Sequence, residues 1–239
     1  MNRELIHLLD LMEKGDQIFL DYDGTLVPIV MDPEKCFLPA KMREILKELD
    51  HRYELYIVSG RTLEDLKKFT GLELKFVYLH GLAMSDHGEN RTFIRDPERH
   101  NSAFDTIRKE MSLMSYAGLR IYDKQYGLVF HTGLVPGNMK NEIEDRVRIL
   151  AKENDLEVYR GTNLVEIKIK GVNKGVAIRN LRTDRKCLIA GDERTDEYAF
   201  TMCPECINIH VGNSETAAKF RVSDISEMES VLEYLAYKP

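Results

Sequence analysis

The feature that most constrains this chain is a set of short apolar runs, each ending abruptly on small or acidic residues. Residues 17–20 precede Asp21, residues 53–58 precede Ser59-Gly60, and residues 186–190 precede Gly191-Asp192. A continuous apolar run of this length predicts a strand buried on both faces, as in a parallel sheet. Segments with helical spacing of apolar residues, at 39–49 and 62–70, lie between these strands. We therefore predict an α/β fold with a doubly wound, Rossmann-like parallel-sheet core.

The pattern changes in the middle of the chain. Residues 102–115 and 138–154 are predicted helices, and each is followed by two short predicted strands, at 119–123 and 128–131 and at 156–159 and 164–169. A helix–strand–strand unit that occurs twice predicts a small α+β domain with an antiparallel sheet. We assign residues 1–82 and 170–239 to the core, and residues 83–169 to an inserted cap domain.

Composition and charge exclude several classes of partner. The chain has 34 Lys and Arg against 40 Asp and Glu, a formal net charge of −6, and no basic block. We therefore expect no nucleic-acid partner. No apolar stretch is long enough to span a membrane, and the amphipathic amino terminus is too polar for a secretory signal. These features predict a cytoplasmic protein without a membrane partner, and we expect a monomer.

The four cysteines are Cys36, Cys187, Cys203 and Cys206. In a cytoplasmic protein they are expected to be free thiols. Cys203 and Cys206 form an isolated CxxC pair, and no second pair of ligands stands nearby at the spacing that a zinc site needs. A metal or redox role for this pair is the alternative interpretation.

The first cluster with chemical potential is Asp21-Tyr22-Asp23-Gly24-Thr25, directly after a predicted buried strand. In open parallel sheets, ligands bind beyond the carboxyl ends of the strands. Two carboxylates in one small region repel each other unless a cation such as Mg²⁺ compensates. The alternative is a solvated turn, since isolated Asp-x-Asp sequences are common.

Three further clusters follow strand ends or begin helices. Ser59-Gly60 offers a hydroxyl and an amide to a phosphate oxygen. Lys174 stands at a predicted helix start, where its charge is unfavourable unless an anion lies in front of it, and a solvated lysine is the alternative. The acids from Asp192 to Glu197 would repel one another without a cation, although acids are also common at the start of a helix.

These clusters, in this order, resemble the haloacid dehalogenase superfamily, and the position of the insertion resembles a type C2 cap. The stretches at residues 166–175 and 191–200 are similar to those of trehalose-6-phosphate phosphatases. His80-Gly81 also matches this family. Glu193 and Ile169 depart from the usual Asp and Pro, and the stretch ending His131-Thr132-Gly133 departs from the common cap sequence. These departures affect the identity of the sugar more than the core chemistry.

The resemblance implies a role for each matching residue. The catalytic residues are Asp21 as nucleophile, Asp23 as general acid and base, and Ser59 and Lys174 as phosphate-binding groups. Mg²⁺ is the implied cofactor, with Asp21, Asp23 (through its backbone carbonyl), Asp192 and Asp196 as metal ligands. The candidate substrate-binding residues are Tyr22, Thr25, Gly60, Arg61, Lys124, His131 and Glu166.

The resemblance further implies hydrolysis of trehalose 6-phosphate, in trehalose biosynthesis, through an aspartyl-phosphate intermediate. Other phosphorylated sugars are alternatives, among them sucrose 6-phosphate, the glucosyl- or mannosyl-3-phosphoglycerates and phosphomannose. A phosphomutase would share the nucleophile. A non-catalytic sugar-phosphate-binding protein is the alternative from another functional class, and the intact set of Asp21, Asp23, Lys174 and Asp192 argues against it.

Overall fold

The computed structural model describes residues 2–30, 35–94, 97–124, 126–161 and 163–238, without the side chains of residues 97, 98 and 124. The chain forms two compact units, Met1–Phe93 with Asn173–Pro239, and Ile94–Val172. We call the first unit the core and the second the cap. No helix among the described residues is long and apolar enough to cross a membrane.

The core is built on an eight-stranded sheet with the order β12-β11-β10-β1-β2-β3-β4-β5. Its strands are β1 (Gln17–Leu20), β2 (Glu54–Val58), β3 (Lys75–Tyr78), β4 (Ala83–Asp86), β5 (Glu89–Thr92), β10 (Cys187–Gly191), β11 (Ile207–Val211) and β12 (Phe220–Val222). Neighbouring strands from β12 to β3 pair in parallel, whereas β4 and β5 are antiparallel. The predicted doubly wound α/β core is confirmed, and β1 lies inside its sheet, buried along its whole length.

Helices precede, connect and follow the strands of the core. They are α1 (Arg3–Asp10), α2 (Ala40–Arg52), α3 (Leu63–Thr70), α6 (Lys174–Leu181), α7 (Arg194–Met202) and α8 (Ile225–Tyr237). Local sequence sets their ends: Thr62 accepts a hydrogen bond from the Asp65 amide at the start of α3, and Gly71 takes a left-handed conformation after its end. Three of them, α2, α3 and α7, connect successive parallel strands, and α3 and α7 begin a few residues after the carboxyl ends of β2 and β10.

The boundary of the inserted unit differs from the prediction, which placed residue 83 at its start. Ala83, Met84 and Ser85 are buried, because β4 pairs antiparallel with β3 and extends the core sheet. The polar, turn-rich residues that follow form β5, the exposed edge strand. Edge strands carry polar side chains on both faces, so this segment has no apolar run that would reveal a strand.

The cap has a four-stranded antiparallel sheet with the order β6-β7-β9-β8. Its elements are α4 (Pro97–Leu113), β6 (Arg120–Lys124), β7 (Gly127–His131), α5 (Gly137–Glu153), β8 (Leu156–Gly161) and β9 (Leu164–Ile169). Along β9 buried residues alternate with partly exposed ones. One face of the sheet therefore contributes Phe130, Val165 and Ile167 to the interior of the cap, and the other remains open.

The cysteines do not all remain free, contrary to the prediction. Cys187 and Cys206 form a disulfide, while Cys36 and Cys203 are buried free thiols. In the register of β10 and β11, Leu188 pairs with Ile207. Cys187 and Cys206 immediately precede these two residues, so the same register brings the cysteines together, with their Cα atoms 4.9 Å apart. Cys203 and Cys206 therefore do not form a redox pair, because Cys206 is bonded to Cys187 on the neighbouring strand.

Reduction of this disulfide is expected to lower the free energy of unfolding by about 3 kcal/mol, because the bond closes a short loop in the unfolded chain. Its two cysteines are 19 residues apart. Thermal unfolding with and without a reductant measures the change, with Cys187→Ala as the matched variant that reductant should not affect. Titration of the unreduced, denatured protein should detect two thiols; detection of four would contradict the disulfide.

Candidate active site

Three adjacent strands, in the order β10-β1-β2, deliver polar residues to one edge of the core sheet. Asp21 follows β1, and its amide donates a hydrogen bond to the Ala190 carbonyl at 2.9 Å. Ser59 follows β2 and Asp192 follows β10. Because parallel strands end at the same edge, side chains that are far apart in sequence become neighbours there, as predicted.

Lys174, the first residue of α6, is the buried positive centre of this cluster. Its side chain is 1% exposed, and its Nζ lies 2.6 Å from Asp21 Oδ1, 2.9 Å from Asp196 Oδ1 and 3.3 Å from Glu193 Oε1. Asn173 caps the helix by accepting the Val176 amide, which fixes the direction in which Lys174 leaves the backbone. A buried ammonium is tolerated here because carboxylates surround it.

The acids after β10 are arranged by the start of α7. Asp196 Oδ2 accepts the amides of Asp192 at 3.2 Å and Glu193 at 3.1 Å, as part of a capping box. Thr25 Oγ1 donates to Asp192 Oδ1 at 3.3 Å. Gly24, with φ of +83°, makes room for this carboxylate, because a Cβ there would lie 2.0 Å from Asp192 Oδ2.

Asp21, Asp192 and Asp196 each present one oxygen within 4.8 Å of the others, an arrangement that could hold a divalent cation. Among the described residues, the second oxygen of Asp21, Oδ2, is buried and has no hydrogen-bond partner. Three oxygen ligands with an unsatisfied buried lone pair are the chemistry that a hard cation requires. The residues present therefore fit a divalent metal.

The charges explain why this cluster favours a cation. Burial, together with the nearby charge of Asp196, raises the pKa of Asp192 to about 6. Burial also raises the pKa of Asp21 and of Asp196. Burial alone would lower the pKa of Lys174, but attraction to Asp21 and Asp196 outweighs it and raises the pKa. One ammonium thus faces several acids, and a second positive charge would relieve their repulsion.

Replacement of Asp192 by Asn is expected to raise the melting temperature of the metal-free protein at about pH 7 by ~2–4 °C. An acid with a raised pKa in the folded state stabilises the fold below its ordinary pKa and loses that contribution as pH rises. For Asp192 the loss extends from its ordinary pKa of 3.8 to about 6. Differential scanning calorimetry at several pH values should show the difference fading as the medium becomes acidic.

The same variant should lose most of the stabilisation that a bound divalent cation would confer on the unchanged protein, with millimolar Mg²⁺ as the cation tested, because a ligand that binds the folded state raises its stability. Asp224→Asn, which retains a good helix cap at the start of α8, is the matched control. An unchanged response to Mg²⁺ in Asp192→Asn would show that the cation binds elsewhere.

Ser59 and Gly60 lie where β2 ends, and both are close to His80. The Ser59 side chain is buried, and its hydroxyl accepts the Arg61 amide at 3.2 Å. The His80 amide donates to the Ser59 carbonyl at 2.9 Å. A Cβ on Gly60 would lie 2.3 Å from the His80 ring, so glycine allows this close packing. Leu79 and His80 both have positive φ, which marks a strained turn beside the site.

Asp23 and Arg61 form an ion pair that the sequence motifs do not predict. Arg61 Nε donates to Asp23 Oδ2, and Arg61 Nη2 donates to Asp23 Oδ1, each at 2.7 Å. Arg61 is a predicted substrate contact, and in the structure its guanidinium pairs with Asp23, the predicted general acid. Glu193, an acid of the predicted cluster that departs from the family pattern, has its carboxylate beside Lys174.

Tyr22 and Thr25, two further predicted substrate contacts, are both fully buried in the core. The Tyr22 ring is fully buried, and its hydroxyl donates to the Cys36 carbonyl at 2.7 Å, so this residue belongs to the interior. The Arg61 guanidinium, which binds Asp23, lies 5.8 Å from the centre of the Tyr22 ring. Thr25 is also fully buried, and its hydroxyl donates to Asp192, so in the structure it supports an acid of the cluster.

The three candidate substrate residues of the cap are on its sheet. The side chain of Lys124 lies outside the part that the structure describes. Glu166 pairs with Val129 across β9 and β7, so Glu166 and His131 lie on the same face, opposite the buried Phe130. Tyr159 pairs with Glu166, and its exposed ring belongs to this open face as well.

Comparison with known proteins identifies the family. Residues 19–230 match the model of the trehalose-phosphatase family. The chain belongs to this family. It is 37% identical to a trehalose-6-phosphate phosphatase-related protein of Thermoplasma acidophilum, over 91% of this chain and 96% of that one. It is 32% identical to trehalose 6-phosphate phosphatase RA3 of Zea mays, over 94% of this chain and 71% of that one.

Solved structures of trehalose phosphatases agree with this assignment. A crystal structure of a trehalose-6-phosphate phosphatase-related protein matches with a TM-score of 0.77 and 36% identity, over 92% of this chain and 96% of that one. The carboxy-terminal domain of the Candida albicans trehalose-6-phosphate phosphatase matches with a TM-score of 0.74 and 25% identity, over 99% and 97% of the two chains. The predicted resemblance and the assignment to the phosphoric monoester hydrolases are confirmed by these matches.

Proposed function

We propose that this chain is a Mg²⁺-dependent phosphatase that hydrolyses trehalose 6-phosphate to trehalose and inorganic phosphate. The observation that carries the proposal is the buried cluster in which Lys174 Nζ lies 2.6 Å from Asp21 Oδ1, beside the three-carboxylate group. A carboxylate so placed at the end of a central strand suits nucleophilic catalysis. The family membership indicates the substrate.

The reaction proceeds in two displacements at phosphorus. The Asp21 carboxylate forms a bond to phosphorus while the bond to the sugar oxygen breaks, and Asp23 gives that oxygen a proton. A water molecule then attacks the aspartyl phosphate, Asp23 accepts its proton, and phosphate leaves with Asp21 restored. Each step moves one proton at Asp23, so its carboxyl group must lie within hydrogen-bond reach of the reacting oxygen.

The remaining residues of the cluster stabilise charge. Mg²⁺, bound by Asp21, Asp192, Asp196 and the Asp23 carbonyl, would supply positive charge to the phosphoryl oxygens. Lys174 contributes a second positive charge, and Ser59 and the Gly60 amide donate hydrogen bonds to the same group. Since the transferring group is an anion, positioning and charge account for most of the rate increase.

We retain Lys124, His131 and Glu166 as the proposed sugar-binding residues. The open cap face carries His131, Glu166 and the exposed rings of Tyr122 and Tyr159. Carboxylates and imidazoles accept and donate hydrogen bonds to hydroxyl groups, and aromatic faces pack against the apolar side of sugar rings. Such a surface suits a neutral disaccharide.

Phosphate release from a panel of sugar phosphates tests the proposal. We expect trehalose 6-phosphate to be hydrolysed with the highest kcat/KM, and a chelator to abolish turnover until Mg²⁺ is returned. Sucrose 6-phosphate, glucose 6-phosphate and the glycosyl-3-phosphoglycerates are the competing substrates. A preference for one of them would keep the mechanism and reassign the substrate, while no release from any would contradict the proposed activity.

A further inference from the structure

The ion pair between Asp23 and Arg61 holds the proposed acid–base group in one orientation. Its two hydrogen bonds, each 2.7 Å long, join both carboxylate oxygens to two nitrogens of the guanidinium. A fork of this kind fixes both the position and the plane of a carboxylate, which a single hydrogen bond does not. Asp23 is partly exposed, at 32%, so its side chain would otherwise sample several rotamers.

Arg61 is itself held by elements of the core. Its guanidinium lies 4.8 Å from the centre of the Phe69 ring and 5.8 Å from that of Tyr22, and both rings are buried. Contacts of a cation with aromatic faces are favourable and directional. The Arg61 carbonyl accepts the Leu79 amide at 3.1 Å, so the backbone is also tied to the neighbouring turn. The guanidinium is therefore positioned without any substrate.

We infer that Arg61 is a positioning residue, which acts on the reaction by fixing the Asp23 carboxyl group and not by binding the sugar. The inference rests on the proposed function, since it assigns the proton transfers to Asp23. Arg61 is 14% exposed, and two of its nitrogens are directed at Asp23. The buried Tyr22 ring, predicted to contact substrate, then has a different role as one wall of the Arg61 site.

The size of the effect follows from the geometry of proton transfer. A general acid must lie about 2.6–3.2 Å from the atom that it protonates. A displacement of about 1 Å in a catalytic group costs on the order of 100-fold in rate. Arg61→Ala is therefore expected to lower kcat by about 100-fold while KM changes little, because a residue that does not contact substrate leaves its binding intact.

A double-mutant cycle tests whether Arg61 acts through Asp23. Asp23→Ala, Arg61→Ala and the double variant of the full chain would be compared on trehalose 6-phosphate and on 4-nitrophenyl phosphate. If Arg61 only positions Asp23, its removal should have no further effect once Asp23 is absent, and the double variant should match Asp23→Ala within about twofold. Guanidinium ions in solution should partly restore kcat to Arg61→Ala but not to Asp23→Ala.

Matched variants separate this role from a structural one. Lys67→Ala removes a cation of α3 that is close to Arg61 in sequence but paired with Glu73 at the surface, and it should leave kcat and KM unchanged. Arg61→Lys keeps the charge but not the fork, and it should lie between Arg61→Ala and the unchanged protein in kcat. If Arg61→Ala does not fold, as judged by circular dichroism, Arg61→Lys takes its place in the cycle.

Two results would overturn the inference. A rise in KM with unchanged kcat would make Arg61 a substrate ligand, and additive effects in the cycle would show that it acts independently of Asp23. Failure of the proposed function has a different signature, because the unchanged protein would then release phosphate from neither substrate. The use of 4-nitrophenyl phosphate keeps the cycle measurable even if trehalose 6-phosphate is not the sugar substrate.

Discussion

Asp21→Asn is expected to reduce phosphate release by at least about 10⁴-fold, because an amide cannot form the aspartyl phosphate. The protein should still fold. The amide has the shape of the carboxylate, and Lys174 keeps Asp196 at 2.9 Å and Glu193 at 3.3 Å as partners. Steady-state phosphate release, with circular dichroism as a measure of folding, provides the test.

The covalent step has a direct readout as well. Rapid quenching of the unchanged protein during turnover should trap a phosphorylated peptide that contains Asp21, and the variant should give none. Asp145→Asn, an exposed acid on the cap helix α5, is the matched control and should retain full activity. Substantial turnover by Asp21→Asn, after deamidation has been excluded by mass spectrometry, would contradict nucleophilic catalysis by this residue.

The sequence predicts the core of the site well because its residues follow directly from strand positions. Each of Asp21, Ser59 and Asp192 stands immediately after a buried apolar run, and parallel pairing alone brings such positions together. The sequence also indicates Lys174, because a lysine at the start of a helix is unfavourable unless an anion lies nearby. The structure brings Asp21 and Asp196 each within hydrogen-bond distance of Lys174.

Pairings that depend on three-dimensional packing are not predictable in this way. The fork between Asp23 and Arg61 joins residues 38 positions apart, and no periodicity links them. Tyr22 is adjacent to both proposed catalytic acids in sequence, yet its ring is buried in the interior beside Arg61. The disulfide depends on the register of β10 and β11, which the sequence does not reveal.

In the cap, the sequence predicts the elements of the fold but not the residues of its open face. Its helices and strands follow from apolar spacing, and both predicted helices and all four predicted strands are present. The polar residues on its open face have no such pattern, because exposed positions are free to vary without affecting the fold. The alternation of side chains along β7 and β9 places His131 and Glu166 on that face. Their proposed role in sugar binding comes from the family resemblance.

The largest effect on stability is expected from Lys174→Met. The substitution preserves length and apolar volume but removes the only ammonium among Asp21, Asp196 and Glu193 in the described structure. Loss of one partner from a buried ion pair leaves uncompensated charge and costs about 3–5 kcal/mol. For a chain of this length the melting temperature should fall by roughly 10 °C.

Neutralisation by other means should recover much of this loss. Millimolar Mg²⁺ would supply positive charge to the same carboxylates. The difference in melting temperature between Lys174→Met and the unchanged protein should therefore become smaller when the ion is present. Acidic conditions should narrow it too, because burial raises the pKa of Asp21, of Asp196 and, to about 6, of Asp192, and protonation then removes the repulsion. The double variant Lys174→Met with Asp21→Asn should be more stable than Lys174→Met alone.

Lys47→Met provides the control for the loss of a lysine in general. Lys47 forms an exposed pair with Glu44 on α2, and its replacement should change stability by no more than about 0.5 kcal/mol. If Lys174→Met melted like the unchanged protein without a cation, the acids around it would have to be protonated already at neutral pH. The nucleophile would then be uncharged in the resting protein, and the proposed attack by the Asp21 carboxylate would need a separate base.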